Sequence, residues 1–181
     1  MSAQTIHSTS DIKQSSKKGS SGQHQFDVLI IGTGSAGLMS ALQLSKDLSV
    51  ALIAKEDVLE GSSFYAQGGI SAVLDASDNF NAHVADTLKT SDGLANKEAV
   101  EFMVKNAPNA ITSLEESGVV FTKDSNHYHL TTEGGHTHRR VAHVADKTGQ
   151  SIQVNLLDNI KQCHNITLFE GYIAIDLLLK N

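Results

Sequence analysis

Gly32, Gly34 and Gly37 stand in the pattern G-x-G-x-x-G, within Gly32-Thr33-Gly34-Ser35-Ala36-Gly37. That spacing suits one kind of chemistry, the holding of a pyrophosphate. Gly32 permits a tight turn. Gly34, lacking a Cβ, lets backbone approach the anion, and Gly37 lets a helix pack closely on the preceding strand. The helix N-terminus then offers free N–H groups and a partial positive charge. The pattern alone is a weak signal, because a sharp turn with no ligand satisfies it equally well.

A dinucleotide site of the NAD type usually has an acid near the end of the second strand, where it meets ribose hydroxyls. Here that place holds Lys55, with Glu56 next, and Lys55 shifts the reading away from NAD. Lys55 suits ribose or phosphate oxygens, or is simply a solvated strand-end lysine. A second glycine-containing loop, Glu60 to Gly69, carries hydroxyls at Ser62 and Ser63. Such a loop can wrap a flat cofactor with backbone N–H groups, and a surface turn reads equally well.

Five of the nine histidines lie between His127 and His143. On a strand, His127 and His129 would face one way, as would His136 and His138. No cysteine and no H-E-x-x-H pattern accompanies them, so no metal site is expected. Arg139 and Arg140 have the fork geometry to bind carboxylates. Glu133 stands beside Gly134 and Gly135, where backbone can approach a ligand.

The elements around these residues are legible. Val28–Ile31 is a short apolar run suited to a strand buried on both faces. Leu38, Ala41 and Leu42 then recur at helical spacing, and Val50–Ala54 is a second strand, so the region reads as a βαβ unit. Gly61–Ser71 reads as loop. Helices are predicted near Ala82–Thr90 and over Lys97–Ala107, with Val100, Met103, Val104 and Ala107 on one face. Pro108 suits the first turn of a further helix carrying Ile111 and Leu114, which Gly118 ends. Val119–Phe121 and Tyr128–Leu130 read as short strands and Thr131–Arg140 as a polar loop. Gly149–Cys163 reads as a helix, Ile166–Phe169 as a buried strand, and Ile173–Leu179 as the start of a new sheet element.

The 181 residues suffice for one ordinary domain, and 40% hydrophobic with 19% charged residues is globular. A net charge of −6 gives no broad affinity for nucleic acid. Cys163 is the only cysteine, which excludes an intrachain disulfide and fits a reducing, cytoplasmic setting. No apolar run approaches the roughly 18 residues of a membrane span. Residues 1–25 are rich in Ser, Gln, Lys and Gly and read as a disordered leader.

The segments FDVLIIGTGSAGL, EGSSFYAQGGISAV, HLTTEGGHTHRR and ADKTG occur in this order. In this, residues 26–181 resemble the flavoproteins related to succinate dehydrogenase and fumarate reductase, in particular their aspartate-oxidising branch. The resemblance implies an α/β, Rossmann-like FAD-binding domain. It places FAD against Thr33, Gly34, Ser35, Ala36 and Lys55, and against Ser62, Ser63, Phe64, Tyr65, Ala66, Gln67, Gly68 and Gly69. The chain near Ala174 is similar to a segment that meets adenine. Membrane-bound relatives attach FAD to a histidine in the second loop. Ser62 stands at that place, which implies non-covalent FAD.

Glu133 matches a glutamate that orients L-aspartate through its ammonium group. The implied reaction is oxidation of L-aspartate to iminoaspartate, the first step towards quinolinate and NAD, with oxygen or fumarate as electron acceptor. Quinolinate synthase is a candidate partner. The family's capping and helical domains lie beyond residue 181, so the expectation is an N-terminal fragment of the FAD domain, with no catalytic residue in it. Such a chain would produce no aspartate-dependent peroxide. A succinate or fumarate oxidoreductase and a non-catalytic dinucleotide-binding module remain the alternative readings.

Overall fold

The computed structural model describes residues 22–179. Most of the segment read as a leader, residues 1–21, lies outside the described residues. The ring of His24 lies 5.3 Å from that of Phe169 and 6.4 Å from that of Phe26.

Three parallel strands form the central sheet, in the order β1 (Val28–Ile31), β2 (Val50–Ala54) and β7 (Ile166–Glu170). Their register aligns Val28, Val50 and Ile166, then Ile30, Leu52 and Leu168. These six residues join one core with Leu38 and Ala41 of α1 (Ser35–Leu44) and Ile152, Leu156 and Ile160 of α5 (Thr148–Gln162). Alternation places Leu29 and Ile31 on the other face, where they are 52% and 65% exposed. β1 is therefore buried on one face, not on both as its continuous apolar run suggests. β7, read as a buried strand, holds Ile166, Leu168 and Phe169 half-buried and Thr167 and Glu170 exposed, whereas β2 between them is buried along nearly its whole length.

Between β2 and α5 run α2 (Ser62–Tyr65), β3 (Ile70–Ser71), α3 (Phe80–Thr90), α4 (Lys97–Glu116), β4 (Lys123–Asp124), β5 (His127–Tyr128) and β6 (Val141–Ala142). The stretch Gly61–Ser71, read as loop, thus holds a single helical turn and a strand, β3, which pairs antiparallel with β6. Asn79 and Asn96 cap α3 and α4 by accepting from Ala82 N–H and Ala99 N–H.

Pro108 does not begin a new helix; α4 runs through it for 20 residues. A proline inside a helix costs about 3 kcal/mol. The apolar face outweighs that cost, because Val100, Val104, Ile111 and Leu114 are all buried along one line. Met103, expected on that face, is 54% exposed. Gly118, at φ +101°, ends the helix as predicted. Its N–H donates to Glu115 and the Val119 N–H reaches back to Leu114, a Schellman closure.

Val119–Phe121 is not a strand, and of Tyr128–Leu130, read as another, only Tyr128 lies in one. Val119 and Phe121 are buried as an extended segment, and the short ladder joins β4 to β5. Ser125 and Asn126, both at positive φ, form the two-residue turn that sets this register. Ile173–Leu179, expected to begin a sheet element, has no regular secondary structure and is exposed.

Gly37 joins α1 to β1. A Cβ there would fall on the Gly32 carbonyl oxygen, which belongs to backbone and cannot rotate away. Gly37→Ala is therefore expected to destabilise the chain by about 3 kcal/mol or to prevent folding, read as the urea midpoint by circular dichroism. A normal midpoint would show that α1 can slide on the sheet.

Candidate dinucleotide site

The glycine turn leaves β1 at Gly32, whose φ of +110° only glycine adopts without strain. Gly34 is the N-cap of α1 and supplies no side-chain cap. The first-turn donors of a helix have no intrahelical partners, and such a terminus suits an anion. One donor is already engaged: Ser35 N–H points at Ser63 Oγ, 3.3 Å away. The same hydroxyl would lie 3.3 Å from a Cβ on Gly34.

A cavity of about 310 Å³ opens at this turn. Its lining includes Gly32, Thr33 and Gly34, then Lys55, Glu56 and Asp57 after β2, and Glu60. Lys55 and Glu56 thus both border the site. Asp57 is committed to Leu59 N–H and Glu60 accepts the Tyr65 hydroxyl. The carboxylate of Glu60 raises the Tyr65 pKa through that hydrogen bond. Glu170 of β7 reaches across to Val58 N–H at 3.0 Å and ties this rim to the sheet.

A larger apolar cavity, about 550 Å³, lies alongside α1, α4 and α5. It shares Ser35 and Ala36 with the turn, and Ser63, Ala66, Gly68 and Gly69 with the second loop. Gly149 locks this loop to α5. Its N–H donates to the Ala66 carbonyl at 2.9 Å, and a Cβ on it would strike the Ser63 carbonyl oxygen. Ser62 and Gln67 are exposed, and Phe64 and Tyr65 stack edge to face. Ala174 lies in the exposed extended segment after β7.

The histidine-rich stretch is resolved into separate contacts. His129 Nδ1 and His143 Nε2 are 2.9 Å apart. His136 and His138 do not share a strand face: His136 turns to Ser71 Oγ and the Glu133 N–H, and His138 to Thr137 Oγ1. Among the described residues, no three His, Cys, Asp or Glu side chains converge to hold a metal ion. Glu133 is exposed, and a Cβ on Gly68 would lie 3.0 Å from its Oε1. The carboxylate therefore stands directly over the second loop.

Arg140 is not available for a substrate carboxylate. It is fully buried, donating twice to Asp78 at 2.8 and 2.9 Å and once to Asp86 at 2.8 Å. Arg139 gives its Nε–H to the Leu130 carbonyl at 2.7 Å. Burial pushes the Asp86 carboxyl up, but Thr137 N–H and hydroxyl and the Arg140 guanidinium outweigh it and hold the pKa at about 2. Burial lowers the pKa of His83 beside this cluster, and the Arg140 cation lowers it further. Asp78 and Asp86 had not been singled out in the sequence. Neither had Gln153, whose Nε2 donates to the Thr33 carbonyl.

Fold and site together define a nucleotide-binding α/β module of the flavoprotein class. The family model described as FAD binding domain matches residues 27–181, and the chain belongs to that family. Its cofactor is FAD. The L-aspartate oxidase of Yersinia pestis is 44% identical over 167 residues, 90% of this chain and 31% of that protein. The L-aspartate oxidase of Pseudomonas aeruginosa is 45% identical over 163 residues, 86% of this chain and 30% of that protein. The chain thus spans about a third of the length of these relatives. An E. coli quinol fumarate reductase superposes with a TM-score of 0.77 at 30% identity, over 82% of this chain and 26% of that one.

Removing Arg140 leaves the buried carboxylates of Asp78 and Asp86 without their guanidinium partner. Arg140→Met is expected to cost about 3–5 kcal/mol in urea unfolding. In the parent chain the Asp86 contribution is complete above the unfolded value of 3.8 and is lost as pH falls through about 2. In the variant the Thr137 donors still favour the Asp86 carboxylate, so the loss of stability on acidification becomes shallower. A variant as stable as the parent, with the same pH profile, would show that Arg140 does not carry the cluster.

Proposed function

We propose that this chain holds FAD non-covalently and presents it for oxidation of L-aspartate to iminoaspartate, in the cytoplasm, with oxygen or fumarate accepting the electrons. The pyrophosphate meets Thr33, Gly34, Ser35 and Ala36 at the head of α1. Lys55 serves the ribose or phosphate side. Residues Ser62 to Gly69 carry the chain of contacts towards the flavin. Ser62 stands where a histidine would be needed for attachment, and a serine cannot form a histidyl bond. FAD supplies the two-electron redox chemistry when bound; the chain supplies the anion site, the loop and the charge beside it.

The observation that carries the substrate reading is the carboxylate of Glu133 over Gly68. A negative charge beside the cofactor loop attracts an ammonium group and disfavours a substrate with carboxylates alone. It separates L-aspartate from succinate and fumarate. The L-aspartate oxidases of similar sequence support the same choice. The burial of Arg140 favours a second reading, a module that binds FAD without performing the reaction.

The purified 181-residue chain is expected to bind FAD and to release all of it on acid precipitation. Flavin remaining with the precipitated protein would overturn the non-covalent assignment. L-Aspartate is expected to perturb the absorbance of the bound flavin at concentrations at least about tenfold below those needed for succinate, a charge-pair preference of ordinary size. Glu133→Gln should abolish that preference while leaving FAD affinity within about twofold. Equal responses to both acids in the parent chain would remove Glu133 from the selectivity role. Bound flavin that responds to neither would favour the binding module.

A further inference from the structure

Gln153 lies one helical turn after Gly149 on α5 and is 1% exposed. Its Nε2 donates to the Thr33 carbonyl at 3.3 Å. The opposite amide orientation would set two acceptors face to face, so the donor must point this way. Its Oε1 is then buried with no hydrogen-bond partner among the described residues. A position that needed only packing would hold an apolar side chain, as Ile152 and Leu156 beside it do. A buried amide with one orphaned atom costs stability, and its donor half makes one contact, to the glycine turn.

A trans peptide points its C=O and N–H in opposite directions. Holding the Thr33 carbonyl towards α5 therefore turns the Gly34 N–H away from α5. Thr33 and Gly34 both line the cavity at the turn. We propose that Gln153 is a positioning residue for FAD: from α5 it fixes the Thr33–Gly34 peptide so that the Gly34 N–H faces the pyrophosphate. The same helix grips the second loop through Gly149, so α5 registers both cofactor-contacting segments against one another. The proposal rests on the placement of FAD at this turn.

The test compares the 181-residue chain with Gln153→Met, which keeps length and loses both polar atoms. Gln153→Asn, one methylene shorter, serves as a second variant should the first not fold. Three readouts are taken: the unfolding midpoint, hydrogen exchange at Gly32, Ser35 and Leu38 without FAD, and FAD affinity by flavin fluorescence. These three amides are hydrogen-bonded to Ile53 O, Ser63 Oγ and Gly34 O and report on the turn. Gln153→Met should keep or raise the midpoint, since an orphaned acceptor is gone. Exchange at the three amides should rise, and FAD affinity should fall about tenfold, the effect of one buried hydrogen bond. Unchanged exchange and affinity in a folded variant would overturn the proposal, as would a midpoint that falls in step with affinity. If the parent chain fails to bind FAD, the placement of FAD is wrong, and the exchange readout still decides whether Gln153 holds the turn.

Discussion

Backbone against backbone is the contact on which the rest of this structure depends. At Gly37, α1 touches the carbonyl of Gly32. At Gly149, α5 touches the carbonyls of Ser63 and Ala66. Neither place has room for a methyl group. The first contact brings the head of α1 to the end of β1, where the strand and the helix field meet. The second brings the loop after β2 up against the same helix pair. The turn, the head of α1 and the second loop are brought together by these two approaches before any side chain is considered.

The polar loop that precedes α5 is held by a different principle. Arg140 is buried among carboxylates from the segment before α3 and from α3 itself. Desolvating these charges is expensive, and mutual pairing with Thr137 as a further donor offsets the cost. The clamp leaves the neighbouring Glu133–His136 turn at the surface, above the second loop. A basic pair that reads as a ligand for acids is thus divided: Arg140 supports the architecture, and Arg139 ties a backbone carbonyl. The charge left facing the second loop, that of Glu133, is negative.

Elements whose signal lies within a dozen residues were legible in the sequence. β2 and α5 announce themselves through apolar runs and helical spacing, and Gly118 through its own conformational freedom. What escaped was set by distant partners. Arg140 pairs across 62 and 54 residues, and Gln153 reaches Thr33 across 120. No local pattern records such pairings. Pro108 failed in the other direction, since a sound local rule yielded to an apolar face that continues on both sides of it. β1 misled because an apolar run does not say which of its faces finds a helix. Of the candidate site, the turn, the loop and α5 were readable, and the contacts by which Gly149 and Gln153 of α5 join the other two were not.

Ser63 Oγ gives the site one further property. A hydroxyl is both acceptor and donor. While it accepts from Ser35 N–H, that amide has no need of water. An arriving phosphate oxygen can take the amide, and the hydroxyl can turn its proton towards the same oxygen by rotation about a single bond. On the protein side hydrogen bonds are then exchanged nearly one for one, and the amide has no water of its own to lose. What the amide would gain on association is the field of the helix acting on a charge, a term that salt screens.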